Sequence, residues 1–357
     1  MGNNQHTAPE HQEKNRTLTL LAVLVILVII GTGFSLFAGS VRIPLSKILA
    51  GSLGETEQAV LVHLRLPRTI GCVFAGGALA LSGLIIQSVL ANPLAAPNII
   101  GIHSGAGLMT TIACALFPNV FNLVPAASFA GALMASQLVL FLARKVQASK
   151  TTLLLAGLAI SSIFSALSDL VITFWPDALI GYTGFRMGSL SGVSMERILP
   201  GLMAIILAMM ISTLCAPELE VLSMGENQAT MIGLNSKRWT QIFLVLSSLL
   251  AGGTISFCGL IGFIGLIVPQ IIRKLFANES SFRILMIANV LAGAFLLLMA
   301  DFLGRVLFAP FEISCGILLS LAGGPYFLFL LLKSRRRSLF SQKKSKTKND
   351  RKALHDH

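Results

Sequence analysis

Charged residues are scarce in this chain, and their scarcity excludes a soluble globular protein. Only 12% of the 357 residues are charged, whereas 54% are hydrophobic and the mean hydropathy is +0.80. Soluble domains carry about 25% charged residues. From Thr69 to Ala143 there is no Asp, Glu, Lys or Arg at all. Runs of about 20 apolar residues let an α-helix cross a bilayer core of roughly 30 Å. The short alternating segments of a β-barrel do not occur, so the sequence predicts an all-α integral membrane protein.

The chain also lacks the motifs that most often carry covalent chemistry. It contains no GxxxxGK[ST] phosphate loop, no HExxH and no spaced carboxylate pair, so it offers neither a P-loop for ATP nor a hydrolytic metal centre. The five cysteines stand singly, without CxxC spacing, and are interpreted as small buried hydrophobes. His103 and Ser104 are neighbours, but adjacent helical residues point in different directions. An enzyme is therefore disfavoured, and no metal or cofactor is expected on this chain.

Cutting the apolar runs at proline, glycine and charge clusters gives ten membrane spans. The first run is too long for the roughly 7–15-residue core of a signal peptide, so it is interpreted as a retained span. The segment ANPLAAPNIIG at 91–101 is expected to form a tight turn at a membrane face, because each proline removes a backbone donor. The predicted spans are 18–38, 69–90, 99–116, 123–143, 151–173, 198–215, 240–258, 260–276, 284–304 and 313–332.

Basic residues set the predicted orientation. Lys and Arg concentrate in cytoplasmic loops, and an N-terminus inside places most of the 27 basic residues on the inner side. The predicted domains are a cytoplasmic N-terminal tail (1–17), a transmembrane domain (18–332) and a basic cytoplasmic C-terminal tail (333–357). Both termini are therefore expected in the cytoplasm.

One internal cytoplasmic loop, residues 216–238, is too polar to span the membrane. It is expected to form two short helices, Glu218–Ser223 and Glu226–Leu234, turning at Gly225. A helix pair with an apolar side suits the groove of a partner protein, whereas a plain solvated loop is the alternative. The apolar contacts are expected from Leu219, Leu222, Ala229 and Ile232.

Ionisable residues inside spans are costly and mark candidate functional positions. Asp301 and Arg305 are four residues apart, so they can face one another on a helix. A structural pair and a binding role both remain open for them. Asp169, towards the outer end of the fifth span, either lines a solute path or sits among lipid headgroups.

Several motifs in one order resemble the iron-siderophore (FecCD-type) permeases of ABC importers, a family that includes haem and cobalamin permeases. The resemblance extends from about residue 20 to residue 336. The matching stretches are LRLPRTIGCVFAGGALALSGLIIQSVLANPLAAPNIIGIHSGAG (64–107), GSLSGVSMERIL (188–199), LEVLSMGENQATMIGLN (219–235), GLIGFIGLIVPQIIR (259–273) and ADFLGRVLFAPFEISCGILLSLAGGPYFLFLLLKSRR (300–336).

The resemblance implies a type II ABC importer permease in a bacterial plasma membrane, working by alternating access. Such a subunit pairs with a second copy or a related permease. Two separate ATPase subunits dock inside and use the ATP, and an extracellular or periplasmic binding protein delivers the solute. The implied solute is an iron(III)–siderophore complex, with haem or cobalamin as alternatives. An ion-coupled secondary transporter is a weaker alternative, because it would need more intramembrane carboxylates.

The resemblance also assigns roles to residues. It implies that Arg65 and Arg305 meet acidic residues of the binding protein, with Arg68 close enough to assist. Candidates for the translocation path are Asp169, Glu312 and Ser314. The ATPase-coupling positions, within about 218–235, are Leu219, Leu222, Gly225, Glu226, Ala229, Ile232 and Gly233.

Two positions depart from the family pattern. Gln270 stands where the family has histidine after proline, and Ser314 stands where it has proline. The second change is expected to alter the entry to the tenth span, which lines the path in the family. The identity of the solute therefore stays open.

Overall fold

A computed structural model describes residues 7–37, 54–118, 120, 122–145, 150–277, 281–307, 311–329 and 332. Within these residues every regular element is helical. In chain order the helices are α1 (Thr7–Phe37), α2 (Glu55–Ala59), α3 (Leu66–Val89), α4 (Ile102–Leu116), α5 (Leu123–Lys145), α6 (Lys150–Phe174), α7 (Ala178–Met187), α8 (Met195–Leu214), α9 (Ala216–Ser223), α10 (Glu226–Met231), α11 (Ser236–Cys258), α12 (Ile264–Leu275), α13 (Phe282–Val306) and α14 (Cys315–Phe329).

The all-α membrane fold predicted from the sequence is confirmed. Seven helices are long and apolar enough to cross a membrane, and two shorter apolar helices, α4 and α14, accompany them. Together with the 12-residue α12, these helices coincide with all ten predicted spans. The predicted basic tail at 333–357 and residues 1–6 lie outside the described part of the chain.

Helix α3 forms the centre of the bundle, because small residues allow other helices to approach it closely. It packs against α11, α12 and α13, and 19 of its 24 residues are buried. At Gly83 a side chain would overlap the carbonyl oxygen of Gly265 at the start of α12. Glycine is therefore required where these two backbones meet, and the close contact holds α12 in place.

Helix α3 continues without interruption into α2 through a π-helical turn, Val60–Arg65, so that one helix runs from Glu55 to Val89. Pro67 lies in the first turn of α3. A proline has no N–H to donate and its ring clashes with the carbonyl four residues earlier. The wider π turn immediately before Pro67 relieves that clash without breaking the helix.

The turn between α3 and α4 forms at 91–101, as the two prolines predict. The Asn92 side-chain oxygen accepts a hydrogen bond from the Leu94 amide at 2.9 Å. A short 3-10 helix, Pro97–Ile100, follows, and Gly101 adopts a left-handed conformation before α4 begins. Gln270 on α12 donates to the Pro93 carbonyl at 2.9 Å, so the residue that departs from the family pattern anchors this turn.

Helix α12 is about 18 Å long at 1.5 Å per residue, which is too short to cross the bilayer core. The irregular segment before it therefore lies at membrane depth, where every peptide group needs a partner. Leu260 N donates to Phe185 O at 3.0 Å, Ser189 N to Cys258 O at 2.8 Å and Gly316 N to Gly188 O at 3.0 Å. These hydrogen bonds join the end of α7, the end of α11 and the first turn of α14.

Candidate functional site

Three arginines and two carboxylates form a cluster where the ends of α1, α3 and α13 meet. Arg65, at the end of the π turn, donates from Nη1 to the Leu36 carbonyl at 2.7 Å and to the Phe37 carbonyl at 3.2 Å. Both carbonyls belong to the last turn of α1, where helix carbonyls have no intrahelical partner. The Arg65 side chain therefore caps α1 and is itself buried.

Asp301 lies at the centre of the cluster. Arg68 Nε lies 3.0 and 3.1 Å from its two carboxylate oxygens, and Arg68 Nη2 lies 3.0 Å from Oδ1. Arg305 Nε lies 3.2 Å from Asp301 Oδ2 across one helical turn. Asp301 is 2% exposed, so one buried carboxylate serves two guanidinium groups. The structural pairing of Asp301 with Arg305 expected from their spacing is present.

Arg305 also connects α13 to α1. Its Nη1 donates to the Ser35 carbonyl at 3.2 Å, and its Nη2 donates to Ser35 Oγ at 3.1 Å. Ser35 Oγ and Thr69 Oγ1 are 2.8 Å apart, which extends the network to α3. Buried polar groups thus join the three helices, and each of these groups has a hydrogen-bond partner.

Glu312, in the loop before α14, forms the exposed edge of the cluster. Its Oε2 accepts from Arg68 Nη1 at 2.9 Å and from the Ser191 hydroxyl at 3.2 Å. Burial acts to raise the pKa of Glu312, but the hydrogen bond and charge of Arg68, with smaller contributions from Ser191 and Arg305, outweigh it and hold the pKa below its usual range. Glu312 therefore stays ionised and bridges α3 to the segment after α7.

The lowered pKa of Glu312 predicts that its contribution to stability depends on pH. A carboxyl whose pKa is lowered by folding stabilises the protein above its ordinary pKa, and this stabilisation is lost as the pH falls through the lowered value. Glu312 is 44% exposed on its side chain, so solvent screens the pair. We expect Glu312→Gln to cost at most about 1 kcal/mol at neutral pH. Thermal unfolding in detergent should show the two proteins converging in acid, and a gap independent of pH would contradict the assignment.

The structure brings all three predicted docking arginines into one cluster, but it engages them within the chain. Arg65 and Arg305 are 6% and 8% exposed. Arg68 lies between the carboxylates of Asp301 and Glu312. Docking of a binding protein by these residues remains a prediction. Sequence reasoning missed the Arg68–Asp301 pair, because the two residues are 233 positions apart and no local spacing indicates the contact.

The two short helices predicted within residues 216–238 are present as α9 and α10, joined by Met224 and Gly225. Gly225 has φ of +119°, a conformation that favours glycine. Leu219, Leu222 and Ala229, predicted to supply apolar contacts of the coupling helices, are buried within the chain and expose almost no surface to a partner. The second helix ends earlier than predicted, at Met231, because Gly233 turns the chain with φ of +89°.

Three large apolar side chains of this helix pair are exposed, beside the exposed polar residues Glu226, Asn227, Gln228 and Thr230. Met231 is 87% exposed, Ile232 68% and Met224 55%. Ile232, predicted to supply an apolar contact of this pair, is accessible to a partner, and its role in coupling stays a prediction. The contribution of Met231 was missed, although the run TMIGL shows apolar residues beside the turn glycine. Exposed apolar side chains grouped on a polar loop are typical of a surface that a partner covers.

The three predicted path residues lie in different surroundings. Asp169 is exposed on α6, and its carbonyl accepts from the Thr173 hydroxyl at 2.8 Å. Glu312 belongs to the arginine cluster. Ser314 immediately precedes α14, and its carbonyl accepts from Ile317 N at 3.0 Å and from Leu318 N at 3.4 Å as the helix begins. Among the described residues, no group of three His, Cys, Asp or Glu is placed to hold a metal ion.

Comparison with known proteins places these features in a family. A family model described as the FecCD transport family matches residues 24–333. The chain is 33% identical to the Fe(3+)-citrate import system permease protein YfmE of Bacillus subtilis, covering 90% of this chain and 96% of that protein. It is 30% identical to the probable heme-iron transport system permease protein IsdF of Staphylococcus aureus, covering 90% and 98%.

A solved structure agrees over a similar extent. It is described as an inward-facing conformation of a metal-chelate type ABC transporter, and it superimposes with a TM-score of 0.79 at 28% identity. The match covers 88% of this chain and 99% of that one. The curated relatives are permease proteins rather than enzymes, in agreement with the expectation drawn from the motifs that the sequence lacks.

Proposed function

The chain belongs to the FecCD transport family, and from that premise we propose that it is the membrane permease of an ATP-driven importer for an iron(III)–siderophore complex. The match over residues 24–333 is the observation that carries the proposal. Its relatives are described as import permeases for ferric citrate and for heme iron. Haem or cobalamin is therefore the alternative cargo, and an ion-coupled carrier is the weaker alternative mechanism.

The power for transport comes from a separate ATPase in this proposal. Met224, Met231 and Ile232 present apolar surface on the α9–α10 pair, a shape that suits a partner's groove. Leu219 and Leu222, which are buried on α9, would transmit movement of the pair to the bundle. An ATPase shifts the permease only if its ATP-bound form binds one conformation more tightly than the other. Alternating access follows when that preference changes on hydrolysis.

The arginine cluster would guide the binding protein on the opposite side. Three guanidinium groups face two carboxylates there, so the cluster carries a net positive charge. Because Arg65 and Arg305 are buried, we infer that they act through this field rather than through an exposed contact. A positive field increases the rate of encounter with an acidic partner more than it increases final affinity, so docking should weaken as salt rises.

The proposed arrangement places both termini and the α9–α10 pair in the cytoplasm of a bacterium, with α14 and Asp169 near the path. The distribution of Lys and Arg supports this orientation. The permease pairs with a second copy or a related permease, and two ATPase subunits bind below. The chain itself binds no cofactor in this proposal, and the ATP is used by the ATPase subunits.

The test is transport by the reconstituted complex. Proteoliposomes containing the permease, its ATPase and its binding protein are supplied with radiolabelled iron as a hydroxamate siderophore complex, as ferric citrate or as haem. We expect ATP-dependent uptake of the siderophore complex. Met231→Asp should leave the fold intact, because the side chain is 87% exposed, and should reduce uptake at least about tenfold by placing a charge in an apolar interface.

The matched control is Gln228→Glu, which adds one negative charge at an exposed polar position of the same helix. This variant should transport at nearly the wild-type rate. Uptake by permease alone, driven by an ion gradient without nucleotide, would overturn the proposal. ATP-dependent uptake at the wild-type rate by Met231→Asp would show that the α9–α10 surface does not couple the ATPase to the permease. A preference for haem or ferric citrate would change only the proposed solute.

A further inference from the structure

A groove of about 460 Å³ opens between α5, α8 and α11, at the end of the bundle where α5 and α8 begin. It is separate from both the arginine cluster and the α9–α10 pair. Cavities of 300–1,000 Å³ are the size that holds a small molecule. The residues lining it are Asn122, Pro125, Ala126, Phe129, Ser194, Glu196, Arg197, Pro200, Gly201, Ala204 and Ser256.

The lining changes character with depth. Asn122, Ser194, Glu196 and Arg197 lie at the beginnings of α5 and α8. Phe129 lies seven residues further along α5, about 10 Å deeper at 1.5 Å per residue. The groove therefore has a polar, charged mouth and a mostly apolar floor, which is the polarity gradient of a phospholipid.

Pro200 adds a backbone acceptor at the mouth. It lies inside α8, and a proline has no N–H to give to the carbonyl four residues earlier. The carbonyl of Glu196 consequently lacks its helical donor, and both residues line the groove. The mouth thus offers the Glu196 carboxylate beside the guanidinium of Arg197, and the Glu196 carbonyl, one turn before Pro200, is left free to accept from a donor that reaches it.

The floor is shaped by close packing of α8 on α11. A side chain at Gly201 would approach the Gly253 carbonyl at 2.5 Å and Ser256 Oγ at 2.6 Å. On the outer flank, Leu199 and Met203 of α8 are 51% and 65% exposed, as expected of residues in contact with acyl chains. The groove therefore borders a surface that suits lipid, and an acyl chain could enter it from that side.

We propose that this groove binds a phospholipid whose headgroup carries a primary ammonium, as in phosphatidylethanolamine. The ammonium donates to the Glu196 carboxylate and carbonyl, the phosphate binds Arg197, and one acyl chain covers Phe129 and Ala204. A trimethylammonium headgroup has no N–H to donate, and an anionic headgroup is repelled by Glu196. The charges of the mouth therefore favour a zwitterion with a hydrogen-bonding cation. This inference is independent of the transported solute.

Native mass spectrometry of the full-length protein in detergent tests the assignment. The protein is titrated with phosphatidylethanolamine, phosphatidylcholine and phosphatidylglycerol of identical acyl chains. We expect phosphatidylethanolamine to bind about tenfold more tightly than the other two, the ratio that one charge-assisted hydrogen bond supplies. Glu196→Gln should remove that preference, and Arg197→Gln should weaken all three phospholipids together.

Two further variants separate the floor from the mouth. Ala204→Trp fills the apolar end and should reduce binding of every phospholipid about tenfold, whereas Glu55→Gln, a charge change on α2, should alter nothing. Elution as a single species and an unchanged melting temperature establish that each variant is folded. Equal binding of the three lipids by wild-type protein, or unchanged binding in both Glu196→Gln and Ala204→Trp, would overturn the proposal. Displacement of the lipid by inorganic phosphate or a ferric chelate would also overturn it.

Discussion

Gly83→Ala is expected to prevent most of the protein from folding, so that little folded protein is recovered from the membrane. A methyl group at this position would overlap the Gly265 carbonyl oxygen, which is backbone and cannot move aside as a side chain does. Overpacking a core costs about 1–3 kcal/mol and occasionally more, and the expected loss lies at the upper end because α3 and α12 would have to separate. The measurement is the yield of monodisperse protein and its unfolding temperature in detergent.

Gly33→Ala on α1 is the matched control for this change. Nothing lies within 4 Å of the site that its methyl group would occupy. Alanine is a better helix former than glycine by up to about 1 kcal/mol, so this variant should fold as well as the wild type or slightly better. A normal yield of Gly83→Ala would mean that α12 does not rest against α3 as described.

Asp301→Ala is expected to cause the second large loss of stability. It removes the carboxylate that faces both Arg68 and Arg305 and leaves those two charges in a largely buried site. Removing one partner of a buried ion pair costs about 3–5 kcal/mol, because the remaining charge has lost its compensation. The free energy of unfolding in mixed micelles should fall by about that amount.

Glu312→Gln serves as the control for the charge change, since Glu312 binds the same arginine from a much more exposed position. Exposed pairs contribute about 0–1 kcal/mol, so the two variants should differ clearly. If Asp301→Ala proves as stable as Glu312→Gln, the cluster does not hold α1, α3 and α13 together.

The sequence predicted the helices well, because their causes are local. Long apolar runs, the prolines at 91–101 and Gly225 each act within a few residues, and each predicted span and turn has its counterpart. The start of the second span at Glu55 and the helix α7 were not predicted. The spacing of Asp301 and Arg305 is equally local, and their pairing could be read from it. Family resemblance added the order of the motifs, and the family match over residues 24–333 agrees with it.

Contacts between distant segments could not be predicted from the sequence. The interaction of Arg68 with Asp301 depends on how α3 meets α13, and the burial of Arg65 depends on where α1 ends. A sequence pattern also cannot tell an arginine directed outward from one that caps a neighbouring helix. The groove between α5, α8 and α11 could not be predicted for the same reason, because three helices from different parts of the chain form its walls.

The unbroken helix from Glu55 to Val89 is 35 residues long, about 52 Å at 1.5 Å per residue. A tilt of 40°, near the upper limit seen for membrane helices, would still leave it about 40 Å tall against a hydrocarbon slab of roughly 30 Å. Its first turns therefore stand clear of the lipid, with Glu55 and Glu57 at the tip and the arginines at the base. A partner that approaches this end of the helix therefore meets two carboxylates about 15 Å before it reaches Arg65. A partner surface with separate basic and acidic patches complements this arrangement better than a surface of one charge.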